Sequence, residues 1–139
     1  MIKKKLFLLT VLALILLNAC KKSSSAPAPT PPVVAEENIA FTIDIDPGTA
    51  IFPALGATQD AKISISSKLP TAGVTLDLVV KKDSDNSVIS STTLSSTTAS
   101  FTSTISNLQA GSICTATFTI TSKSTASNSL IKSFKIARK

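Results

Sequence analysis

An all-β fold, a two-sheet antiparallel sandwich of about seven strands, is predicted for residues 38–139 by three observations. Apolar and polar residues alternate with period two through most of that stretch. Threonine and serine fill the polar phase. Turn-forming clusters punctuate the runs at short intervals. Alternation sends successive side chains to opposite faces of a strand, so each run has one buried and one wet face. Threonine suits the wet face because its branched stem favours extended backbone. No segment carries a period of 3.6, so helices are expected to be minor.

Ile39, Phe41, Ile43 and Ile45 alternate with Ala40, Thr42 and Asp44 to give the first strand, ended by Asp46-Pro47-Gly48. The connection from Asp46 to Asp60 is long, and Ile51, Phe52 and Pro53 inside it suit a short extra edge strand, where proline's missing N–H does no harm. Ala61, Ile63 and Ile65 form the next strand, closed by Leu69-Pro70. Val74, Leu76, Leu78 and Val80 form another, closed by Asp83-Ser84-Asp85-Asn86. Weaker alternation marks strands at 87–94 and 98–105, and Gln109-Ala110-Gly111 follows. Cys114, Ala116, Phe118 and Ile120 against Thr115, Thr117, Thr119 and Thr121 are the cleanest case. After Ser127-Asn128 a last strand covers residues 130–137. Seven short strands with regular turn signals in about 100 residues suit a sandwich, and a domain of that size buries a sufficient core without disulfides.

Ahead of this domain the chain changes character twice. Lys3, Lys4 and Lys5 precede an apolar run from Leu6 to Leu17, interrupted only by Thr10. Those residues would reach roughly 18 Å as a helix, short of the roughly 30 Å hydrocarbon core of a bilayer. A basic start, a short apolar stretch and a small residue before the cut describe a secretory signal peptide. Residues 20–37 are rich in serine, alanine and proline, with Pro27, Pro29, Pro31 and Pro32 close together. Such a segment buries too little apolar surface to fold and favours extended polyproline II, so it reads as a tether reaching up to roughly 50 Å. A proline-rich docking site is the sharper alternative for the same residues. The expected organisation is therefore 1–19 signal peptide, 20–37 tether and 38–139 domain.

Charge and composition exclude several functions. The formal charge of +6 belongs mainly to the leader and tether: without Lys3, Lys4, Lys5, Lys21 and Lys22, nine cationic residues face eight acidic ones. A nearly neutral domain lacks the basic stripe that nucleic acid requires. Histidine, tryptophan and tyrosine are all absent, which removes the commonest general base and metal ligand and the aromatic platforms typical of sugar or single-strand binding. Gly-x-Ser-x-Gly is missing, and no base stands at a recognisable spacing from any serine. Asp83, Asp85 and Asn86 offer closely spaced oxygens without the glycine and glutamate of an EF-hand loop, and a turn is the plainer reading. Asp44 and Asp46 fall in the solvent-facing phase of their strand. Neither a catalytic residue, a metal site nor a cofactor is expected, and the protein is expected not to be an enzyme.

Two resemblances add to this. Leu17-Asn18-Ala19-Cys20, placed after the apolar run and before Lys21 and Lys22, resembles the lipobox of bacterial lipoproteins. The resemblance implies cleavage between Ala19 and Cys20 and lipidation of the Cys20 thiol. The protein would then be held in the cell envelope, its partner the membrane itself. Lys21 stands where an aspartate would favour inner-membrane retention, so the outer membrane is the expected address, on its periplasmic or surface side. Two or more acyl chains give stable anchoring at about 0.8 kcal/mol per buried methylene. With Cys20 lipidated, Cys114 has no disulfide partner, and its place beside Ala116 and Phe118 makes it core.

The second resemblance covers roughly Ile39 to Lys139, and Thr104 to Cys114 are the residues that carry it. Leu108, Gly111 and Cys114 have the spacing of a leucine, a glycine and a tyrosine at one corner of fibronectin type III and related immunoglobulin-like domains. Cys114 occupies the tyrosine's place and cannot make its hydroxyl bond. The tryptophan usual on the second strand is replaced by Ile63 and Ile65. An immunoglobulin-like module displayed on a tether implies binding or assembly with an envelope protein. A polysaccharide-binding accessory lipoprotein and an envelope enzyme are the alternatives.

Overall fold

The computed structural model describes residues 35–139; the expected signal peptide, with Ala19 and Cys20, and most of the expected tether lie outside the described residues. These 105 residues hold eight strands and no helix: β1 Phe41–Ile43, β2 Ile51–Ala54, β3 Gln59–Ile65, β4 Val74–Lys82, β5 Val88–Ser96, β6 Ser100–Ile105, β7 Ile113–Ser122 and β8 Ser129–Arg138. They form two sheets, one ordered β1-β3-β6 and the other β2-β8-β7-β4-β5.

Each strand follows from its alternation. In β7 every second residue from Cys114 to Ser122 is buried, while Thr115, Thr117, Thr119 and Thr121 stand half-exposed on the other face. β4 shows the same pattern, with Val74, Leu76, Leu78 and Val80 buried. Pairing of Leu78 with Phe118 and of Leu76 with Ile120 brings the apolar phases of the two strands into one row. Ile63, Ile65 and Ile105 line the facing sheet, and the inner faces close on a single core that includes Phe118, Ile120 and Ile136. Each such side chain contributes about 1.5–3 kcal/mol by leaving water. Phe118 and Phe134 stack with ring centroids 5.7 Å apart.

The prediction of a purely antiparallel sandwich of seven strands needs one correction. An eighth strand, β2, forms at the expected edge position and pairs with β8 in parallel, Ile51 opposite Lys135 and Ala54 opposite Arg138. The larger sheet is therefore mixed. After β1 the chain turns at Asp46, whose carboxylate accepts the Gly48 N–H at 2.9 Å, and crosses to the other sheet. It keeps its direction as it crosses and meets β8 running the same way. The rest of the domain forms the long connection that a parallel pair requires.

The sandwich has two distinct poles. The chain enters at the pole that carries the β7–β8 hairpin and the β3–β4 loop. There the Asn128 amide donates to the Glu36 carboxylate at 3.0 Å and to the Glu37 carbonyl at 2.8 Å, while its oxygen accepts the Ile39 N–H. The Lys68 N–H donates to the Glu37 carboxylate at 3.0 Å. These contacts fix the direction in which the chain enters. The β2–β3, β4–β5 and β6–β7 connections and Lys139 gather at the opposite pole.

Candidate functional site

The side chains that stand out chemically lie at that far pole. β4 ends in a register shift between Val80 and Lys81, leaving Ile89 as the extra residue of β5. The chain then turns through Asn86, which takes a left-handed φ of 59°. Asp85 accepts both the backbone N–H (2.9 Å) and the hydroxyl (2.6 Å) of Ser87. Asp83 points elsewhere. Its carboxylate accepts the Thr115 hydroxyl at 2.7 Å and forms an ion pair with Lys135, which also reaches Thr115 at 3.3 Å. Lys81, Thr115 and Lys135 are successive rungs of one row, so the register itself assembles this group. Asp83 and Asp85 are thus engaged by different partners as turn and sheet residues and do not converge. Asp44 accepts the Lys62 N–H at 2.8 Å on the exposed side of β1, apart from Asp46 in its turn. Among the described residues no cluster of three or more His, Cys, Asp or Glu side chains could hold a metal ion.

The ammonium of Lys135 first, and the Thr115 hydroxyl second, hold the Asp83 carboxyl below its ordinary pKa, against a smaller opposing effect of burial. A depressed carboxylate stabilises the fold above the unfolded-state pKa near 4, and that contribution is lost as pH falls through the lower folded value. Asp83→Asn is therefore expected to flatten the acid side of the stability profile. A double-mutant cycle with Lys135→Met should give a coupling of about 0.2–1 kcal/mol, the range for a partly exposed pair. Urea unfolding at pH 7 and pH 3 checks both.

Beside this ion pair lies an open depression of about 340 Å³ lined by Lys82, Asp83, Ser84, Gly111, Ser112 and Ile113. Its apolar wall, Ile113, is 42% exposed. Ile113, Ala137 and Pro53 occupy one outward-facing row. Ile51, 44% exposed, continues the apolar surface along β2, and Leu55, 87% exposed, stands in the loop that follows. A shallow hollow with a largely apolar lining, beside exposed Ile and Leu side chains, has the character of a binding surface.

Cys114 lies directly behind this surface. It is 1% exposed, on the inner face of β7, and unpaired among the described residues. Burial, and secondly the negative charge of Asp83, push its thiol pKa up, against a smaller effect of Lys82. A thiol held neutral and away from solvent packs as an apolar residue. At the corner before it, Leu108 is buried and its N–H donates to the Ala57 carbonyl at 3.0 Å. The Leu108 carbonyl accepts the Arg138 guanidinium at 3.4 Å. Arg138 thus ties the corner to the end of β8, where Cys114 offers no hydroxyl.

Sequence reasoning located Asp83, Asp85 and Cys114 but overlooked Leu55, Ile113 and the Asp83–Lys135 pair. The first two break the alternation at strand ends, where apolar residues carry no periodic signal. The third depends on a register between strands fifty residues apart. No protein-family model matches this chain, and no curated protein matches it at a significant level.

Proposed function

We propose that this chain is a lipid-anchored bacterial cell-envelope protein that presents a non-catalytic immunoglobulin-like domain for protein binding or assembly. Cys20, at the end of Leu17-Asn18-Ala19-Cys20, is the residue assigned to the lipid, with cleavage after Ala19. The immunoglobulin-like reading is supported by the strand layout. In those sandwiches the A, B and E strands share one sheet and C, F and G the other, with C′ joining the latter in some types. β1, β3 and β6 take the first set of places; β4, β7, β8 and β5 take the second.

The observation that carries the binding reading is polarity. The chain enters the domain at one pole through Glu36 and Glu37, and the apolar surface at Leu55 and Ile113 lies at the other. A domain held at one end by a tether would offer that far pole to a partner. In membrane fractionation the wild type is expected in the membrane and Cys20→Ala in the soluble fraction. Cross-linking in cells should then capture an envelope protein that is lost with Leu55→Asp. A wild-type protein found outside the membrane fraction, together with a cross-linking pattern indifferent to Leu55, would sink this reading.

A further inference from the structure

The two open sides of the sandwich are guarded unequally. On one side stand β1, three residues long, and β2, four residues containing Pro53. Shortness and proline both discourage a further strand from adding. On the other side stand β6, six residues long at the end of the smaller sheet, and β5, nine residues long at the end of the larger one. From Asn86 to Ser122 the sequence has no charged residue and no proline, so β5 lacks both of the usual guards. The extra residue Ile89 and the Asn107 amide, which donates to the Ile89 carbonyl at 2.9 Å, protect only its beginning. Ser90 to Ser96 remain, seven residues in unbroken register with Val80 to Val74. On their outer side the alternate N–H and C=O groups can pair with a strand as readily as with water.

We propose that this edge pairs antiparallel with β5 of a second copy of the chain, joining two five-stranded sheets into one. The pairing that uses all seven residues puts Thr93 on the twofold axis, facing its own mate. Ser91 then faces Ser95, Thr92 faces Leu94 and Ser90 faces Ser96. Isologous pairing requires such self-complementarity, and here hydroxyls meet hydroxyls along the outward row, a favourable cross-strand combination. No charge opposes its like. The nearest, Asp77, is engaged by the Thr93 hydroxyl at 2.6 Å. Three strand spacings, about 14 Å, separate it from its mate, and the screening length in physiological salt is about 8 Å. An edge without charge offers a foreign strand nothing to select it, whereas a second copy matches it rung for rung. The surface is distinct from the far-pole loops, and the pairing needs no lipid.

Single cysteines at Ser91, Thr93 and Ser95 in the full chain, oxidised in intact cells and resolved without reductant, test the arrangement. Thr93→Cys should yield a covalent dimer at least roughly tenfold above the other two and above the wild type, because a disulfide needs α-carbons within about 7 Å. At Ser91 or Ser95 the mates lie about 13 Å apart along the strand. In sedimentation of the purified full chain, the wild type should be dimeric and Thr93→Lys monomeric. The new ammonium faces its like across the axis while Asp77 offers it a partner within its own sheet. Equal yields at all three positions, no dimer at any, or capture only of other proteins at Thr93→Cys would overturn the proposal.

Discussion

Phe118→Ala is expected to lower the unfolding free energy by about 3–5 kcal/mol, the range for removing a fully buried aromatic side chain. Phe118 sits near the middle of β7, paired with Leu78 on one side, and its ring stacks on Phe134 with an interplanar angle of 17°. Both sheets close over it, so little can move in to fill the space, and the cavity cost adds to the lost transfer energy. A domain of ordinary stability, about 5–15 kcal/mol, would lose a large part of its margin. Thr117→Ala, one residue away on the opposite face, should cost under about 1 kcal/mol. Urea unfolding of both variants decides the matter: comparable losses would mean that β7 does not divide into a buried and a wet face.

Gly73→Ala is the second large effect, arising from backbone rather than core. Gly73 has φ +80°, and a β-carbon there would lie 2.3 Å from the Ser96 carbonyl oxygen. The left-handed conformation alone costs a side chain about 1–2 kcal/mol. The clash adds to it, because its partner is main chain at the start of the β4–β5 ladder, where Val74 pairs with Ser96. We expect a loss of about 2 kcal/mol or more, with amide exchange accelerated first at Ser95 and Ser96. Gly111→Ala provides the contrast. It has φ +76° with no atom within 4 Å of the added carbon, so only the conformational cost applies. If the two variants unfold at the same denaturant concentration, the close approach of Gly73 to β5 is wrong.

The strands were legible because period-two patterning is local and burial enforces it. Seven were expected near their observed positions, and even β2 was visible through Ile51, Phe52 and Pro53. Its direction was not. Parallel pairing with β8 is a consequence of where the chain crosses between sheets, which no window of residues contains. Ser103 illustrates a subtler limit. It lies in the inward phase of β6, buried, with no hydrogen-bond partner for its hydroxyl among the described residues, so a polar residue occupies a core position. Cys114 is legible as core because its neighbours Ala116 and Phe118 define the face. The Asp83–Lys135 pair was illegible because it forms across β4, β7 and β8, and charge in sequence carries no register.

The parallel β2–β8 pair also bears on mechanics. The chain enters at one pole, and Lys139 lies at the other, its N–H donating to the Ala54 carbonyl at 3.0 Å. A load drawn between Ala35 and Lys139 would pull β2 and β8 in opposite senses along their own axes. The hydrogen bonds between them would then bear it together, in shear, rather than opening one after another as a zip does. Tension between those ends would therefore be shared across the strand pair that departs from antiparallel order.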